Sequence, residues 1–180
     1  GGIALAIAGT LFAKYSIENN LIPPALRIAF LIVLGLVSLV GSEVFFRPRY
    51  PATASPVCGA GIAILYAAFY AGHSAYDLFS LPLTFLFMAL TTLVAGLLSV
   101  RYNSVFVAVL GLLGGFATPL LLSSGKDRPI GLFSYILLLD LGFLFISVRK
   151  RWHRVVWLSF IATVLLEIAW ASKHLSPSKL

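Results

Sequence analysis

Residues 25–46 read ALRIAFLIVLGLVSLVGSEVFF, and this stretch decides the fold. It carries one cation near its start, Arg27, and one acid near its end, Glu43. Between them every side chain except those of Ser38 and Ser42 is apolar or absent. An α-helix rises 1.5 Å per residue, so about 20 residues cross a hydrocarbon layer of roughly 30 Å. A barrel strand crosses in about ten residues and alternates polar with apolar, which this run does not do. Backbone groups in lipid must pair within their own segment, so the stretch is expected to be a transmembrane helix.

The same texture recurs on both sides. Apolar runs at 2–15, 55–72, 82–100, 104–123, 129–148 and 154–171 are each bounded by charged residues, proline or asparagine. With 25–46 they make seven, joined by connectors too short for a soluble catalytic domain. The expected fold is all-α, a polytopic transmembrane bundle of about seven helices forming a single domain over 1–180. Pro23-Pro24 suits a helix start, where the first N–H groups lack partners anyway. Asn19-Asn20, Asn103 and Ser123-Ser124-Gly125 mark turns. The first run is short for a span and has neither the basic region nor the cleavage site of a signal peptide. The expectation is a piece of a longer chain, its first helix incomplete at the start.

Composition agrees: 60% of residues are hydrophobic, 11% are charged, and the mean hydropathy is +1.01. Soluble domains are nearer half apolar and a quarter charged, so the excess must face lipid. The lone Cys58 permits no intrachain disulfide and reads as a small apolar helix residue. In a soluble protein the net charge of +7 would suggest nucleic acid. Here the cations lie between apolar runs, so membrane orientation accounts for them and no nucleic-acid partner is expected. Arg47, Arg49, Arg101, Arg149, Lys150, Arg151 and Arg154 fall at one end of the expected bundle. The other end has Lys14, Arg27, Lys126 and Arg128, with Lys173 and Lys179 in the tail, mixed with Glu18, Asp77 and Asp127. The first set is expected in the cytoplasm, placing the N-terminus inside and the C-terminus outside. Trp152, Trp157 and Trp170 read as interfacial anchors.

Several polar residues inside the runs are candidates for function. Asp140 is the sharpest, near the middle of its run with apolar neighbours on both sides. A carboxylate at mid-bilayer costs about 2.5–3.5 kcal/mol even on lenient insertion scales, so it should face the bundle or water. Tyr66, Tyr70, His73 and Asp77 follow helical spacing along one face, a packing stripe or one wall of a polar pathway. Glu167 has Thr163 and Ser159 one and two turns back on its own face and is expected near the outer interface. Gly111 and Gly115 form a Gly-x-x-x-Gly pair, extended by Ala108 and Thr118, that lets a neighbouring helix approach closely. Pro119 crowds the carbonyl of Gly115 and should kink that helix, which is expected near the bundle centre. Glu43 is four residues before Arg47, an i,i+4 pair worth a few tenths of a kcal/mol when exposed.

No phosphate loop, His-Glu-x-x-His, Cys-x-x-Cys or nucleophile elbow occurs, and His73, His153 and His174 lie on separate segments. No cofactor, metal site or catalytic residue is therefore expected. The strings FAKYSIEN at 12–19, IPP at 22–24 with Arg27, GAGIAILY at 59–66, LGLLGGFATPLL at 110–121, FSY at 133–135, LLDLG at 138–142 and the Arg151-Trp152 step resemble a family of bacterial predicted membrane proteins, domain of unknown function 2339. The resemblance spans essentially the whole chain, and GGFATP is its most specific part. It implies a multi-pass protein of the bacterial inner membrane and carries no activity, cofactor or site residue. Expected partners are the lipid bilayer and further helices of a longer chain or other membrane subunits. Three functions are in view. The first is a transport or permeation component using Asp140, with the Tyr66–Tyr70–His73 face as lumen. The others are a non-catalytic assembly or scaffold subunit and, with least support, an enzyme acting on a lipid-linked substrate.

Overall fold

The computed structural model describes residues 22–122 and 129–174. The expected run at 2–15 lies outside the described residues. The other six runs are all helices, and no strand occurs among the described residues. We number them α1 (Pro24–Arg49), α2 (Pro51–Ser74), α3 (Leu81–Tyr102), α4 (Val105–Leu121), α5 (Pro129–Lys150) and α6 (His153–His174). Five are long and apolar enough to cross a membrane; α4, with 17 residues, is shorter.

Local chemistry sets the helix ends. Pro24 and Pro51 open α1 and α2, and Pro82 lies in the first turn of α3. Proline's missing N–H is harmless at these positions. This is why α2 begins four residues earlier than the apolar run suggests, with Pro56 inside it. Asn103 stops α3 by adopting a left-handed conformation at φ 49°, which asparagine tolerates better than most residues. Ser104 then caps α4, its side chain accepting from the Val107 N–H at 3.4 Å. Within α1, residues Ser42–Phe46 widen into a π turn before the helix resumes at Arg47–Arg49. Such turns shift side-chain register within a helix.

The short connectors make successive helices antiparallel, so the basic residues 47–49, 101, 149–151 and 154 share one end of the bundle. Helix α1 packs on α2, and α3 on α4; α4 also touches α2, α5 and α6, which makes it the hub. One buried cluster joins α1–α4 through Leu39, Cys58, Ile62, Leu65, Ala95 and Val107. A second joins α4–α6 around Leu112, Phe116, Ile136, Leu139 and Phe143. Close backbone approach holds the pairs. A Cβ on Gly35 would lie 2.7 Å from Leu65 Cγ, and one on Gly61 would lie 2.9 Å from the Gly35 carbonyl. The outer faces are apolar: Phe30, Val37, Val40 and Val44 on α1 and Phe160, Leu165 and Ile168 on α6 are each more than half exposed. Lipid is the solvent that suits them.

Candidate functional site

Asp140 sits halfway along α5, half-buried, where α5 meets α6. Both of its oxygens are engaged. The Ser159 hydroxyl donates to Oδ1 in a short contact, and the Thr163 hydroxyl donates to Oδ2 at 2.7 Å. Ser159 and Thr163 are four apart, one turn of α6, so their hydroxyls stack to face one carboxylate. Among the described residues no Lys, Arg or His pairs with Asp140, leaving a carboxylate with two neutral donors and no counter-ion. The sequence placed these two hydroxyls with Glu167. In the fold the two hydroxyls go to Asp140 instead, and Glu167 is exposed on α6, among the exposed Leu165 and Ile168.

The Tyr66 hydroxyl lies 2.7 Å from Thr92 Oγ1 and 3.4 Å from the carbonyl of Gly111, bridging α2, α3 and α4. Its ring lies against Gly114, where any Cβ would overlap it. Gly111 and Gly115 face α3: a Cβ on Gly111 would lie 2.7 Å from that of Ala95, and one on Gly115 2.8 Å from Thr92 Cγ2. Pro119 falls in the last turn of α4, two residues before its end. With no N–H of its own, it leaves the Gly115 carbonyl without its ordinary helical donor. The Tyr135 hydroxyl of α5 donates to that carbonyl at 3.1 Å. Thr118 folds back on the same turn, donating to Gly114 O at 2.8 Å. The carbonyl that a proline-broken helix would offer to an ion is thus taken by a side chain.

Tyr70 sits one turn beyond Tyr66, and both line a cleft of about 350 Å³ between α2 and α4. His73 does not extend this line inward. Its Nδ1–H donates to the Phe79 carbonyl at 2.8 Å and ties the end of α2 to the turn before α3, where Asp77 adopts φ 49°. Among the described residues no hydrogen bond or ring contact joins Tyr66, Tyr70 or His73 to Asp140. The fold therefore gathers the candidates into separate places: Asp140 between α5 and α6, Tyr66 and Tyr70 between α2 and α4, His73 at a turn, and Glu167 on an outer face.

A further polar cluster was visible in the sequence only as a local pair. Glu43, in the π turn, accepts from Arg47 at 2.6 Å and from both Nε and Nη2 of Arg101 at 2.5 Å. Arg101 lies on α3, 58 positions along the chain, so spacing could not announce it. Beside it the buried Ser42 hydroxyl meets that of Tyr102 at 2.8 Å, and the Arg47 guanidinium lies 5.7 Å from the Tyr102 ring centre. The cluster binds the basic ends of α1 and α3 together. Its hint in sequence was the i,i+4 spacing of Glu43 and Arg47. Among the described residues no three His, Cys, Asp or Glu side chains converge as metal ligands.

Neither the curated proteins nor the solved structures contain a match to this chain. A family model does match, described as a predicted membrane protein of domain of unknown function 2339, and it covers residues 1–180. Among the described residues, six apolar helices with lipid-suited outer faces agree with that description, and the chain belongs to this family of multi-pass membrane proteins.

Proposed function

We propose that the chain is a transport or permeation component of the bacterial inner membrane, in which Asp140 gains and loses a proton or a small cation. One observation carries the reading. A carboxylate lies mid-span with two hydroxyl donors and no basic partner among the described residues. Ionisable groups at that depth are costly, and structural pairing with a cation would have offset the cost. Hydroxyls that donate to a carboxylate can instead accept from it when it is protonated, or turn their lone pairs to a cation, so the group suits exchange. Tyr66, Tyr70, His73 and Glu167 belong to other parts of the bundle and enter this reading only as further polar positions.

The test is Asp140→Asn in the full chain, purified and reconstituted in vesicles. Transport predicts intact assembly with flux lost, and a wild-type flux that depends on pH. Unchanged flux removes Asp140 from the function. A second reading rests on the same geometry: Ser159 and Thr163 clasp Asp140 across two helices, which suits a scaffold whose polar groups only join helices. That reading predicts loss of assembly in Asp140→Asn and no flux in the wild type. Further helices of a longer chain, or other membrane subunits, are the partners proposed in either case.

A further inference from the structure

The cleft between α2 and α4 lies within the span, and its walls are small where the two helices face each other: Ala63 and Ala67 on α2, Gly114 and Ala117 on α4, with Met88 of α3 as floor. Ala63 and Ala67 are exposed, so the cleft opens sideways rather than to either end of the bundle. No charged residue lines it. At this depth the surrounding solvent is hydrocarbon, and an open apolar groove is filled by chains from the bilayer. A volume of about 350 Å³ is too slight for a helix, which with side chains is about 10–12 Å across.

One polar group marks how the occupant is aligned. Tyr70 lines the cleft four residues before α2 ends at Ser74, about 6 Å below the helix end at 1.5 Å per residue. Its hydroxyl has no hydrogen-bond partner among the described residues, unlike that of Tyr66 deeper in the same cleft. Tyr70 is half-buried, and a hydroxyl with nothing to bond is unfavourable where the surrounding medium is apolar. At this level the donors and acceptors of a bilayer are the ester groups of its lipids. We infer that the α2–α4 cleft is a binding site for one phospholipid, holding an acyl chain along Ala63, Ala67, Gly114 and Ala117, with the Tyr70 hydroxyl donating to a glycerol ester carbonyl. The lipid enters from the side and lies at the opposite end from the basic residues.

The experiment uses the full chain in vesicles of phosphatidylethanolamine and phosphatidylglycerol, with a trace of phosphatidylcholine carrying a diazirine within one acyl chain. After illumination, peptides from the cleft at 63–70 and 110–117 should carry several-fold more label than the exposed α6 face at Phe160 and Ile161. Ala67→Leu, which fills the groove, should lower cleft labelling several-fold and leave the α6 label unchanged. Tyr70→Phe should leave the groove intact but lower the lipid retained through detergent exchange several-fold. Cleft labelling no greater than that of α6 overturns the site, and so does protection of the cleft from label, the result if another protein helix covers it. Equal labelling of Ala67→Leu and wild type also overturns it, and unchanged retention in Tyr70→Phe overturns the ester contact. The wild-type ratio decides even where the filled variant does not fold.

Discussion

The carbonyl of Gly115 shows how a single residue's covalent chemistry propagates. Pro119 removes the donor that an α-helix would supply, and Tyr135 on the next helix supplies it instead. Tyr135→Phe leaves that carbonyl unpaired in an apolar interior and should cost about 1–3 kcal/mol of stability, read from unfolding in mixed micelles. Pro119→Ala restores the missing N–H, so Tyr135→Phe in that background should cost clearly less, with a coupling of about 1 kcal/mol in a double-mutant cycle. Additive losses would show that Tyr135 has no special tie to the proline. Gly114 makes a second residue-level case. Tyr66's ring occupies the place a side chain would take, so Gly114→Val must push the ring aside and break its bridge to Thr92 and Gly111. Overpacking of this kind costs about 1–3 kcal/mol, and the same measurement checks it; a neutral effect would mean the ring has room to move. Helical spacing singled out Gly111 and Gly115 but not the role of Gly114, because its constraint comes from another helix.

At the scale of the element, the π turn of α1 presents Glu43 to α3. Regular spacing from Glu43 reaches only Arg47, and that is all periodicity could read. The pairing with Arg101 depends on α1 and α3 ending side by side at the basic end. All three side chains are partly exposed, so each pair is worth no more than about 1 kcal/mol. Glu43→Gln should therefore destabilise modestly, and the loss should shrink as salt rises from low to molar concentration. A loss independent of salt would mean that packing, not charge, holds the two ends. Helix α4 is the complementary case. It is the shortest helix among the described residues and the hub, and the apolar run outreaches it at both sides, since Ser104 precedes it as the cap and Leu122 already lies beyond its end at Leu121.

For the whole molecule, orientation follows from which end holds the cations. Arg47, Arg49, Arg101, Arg149, Arg151 and Arg154 share an end with Lys150, and Glu43 is the acid set among them. The cytoplasmic placement proposed for that end is checked by single cysteines introduced in a Cys58→Ala background. An impermeant maleimide added to intact spheroplasts should label Leu78→Cys, and should label Arg151→Cys only after lysis. The reverse pattern would invert the topology.

Much of this protein is determined along the chain itself. Membrane residence, six of the expected helices, the start of α1 at Pro24 and the stop at Asn103 all follow from properties that each segment carries alone: hydropathy, length and backbone chemistry. Asp140 was legible for the same reason, since a carboxylate within an apolar run is anomalous wherever it packs. Its partners were not. Ser159 and Thr163 lay in the sequence with Glu167, and only the seating of α6 against α5 turned them to Asp140. The bond from Tyr135 to Gly115, the Arg101 arm of the Glu43 cluster and the cleft beside Tyr70 were likewise decided by tertiary structure. Helical spacing says which residues share a face, but lipid gives no hydrophobic drive to choose what that face meets. Close packing and hydrogen bonding between helices make that choice, and they exist only once the bundle is assembled.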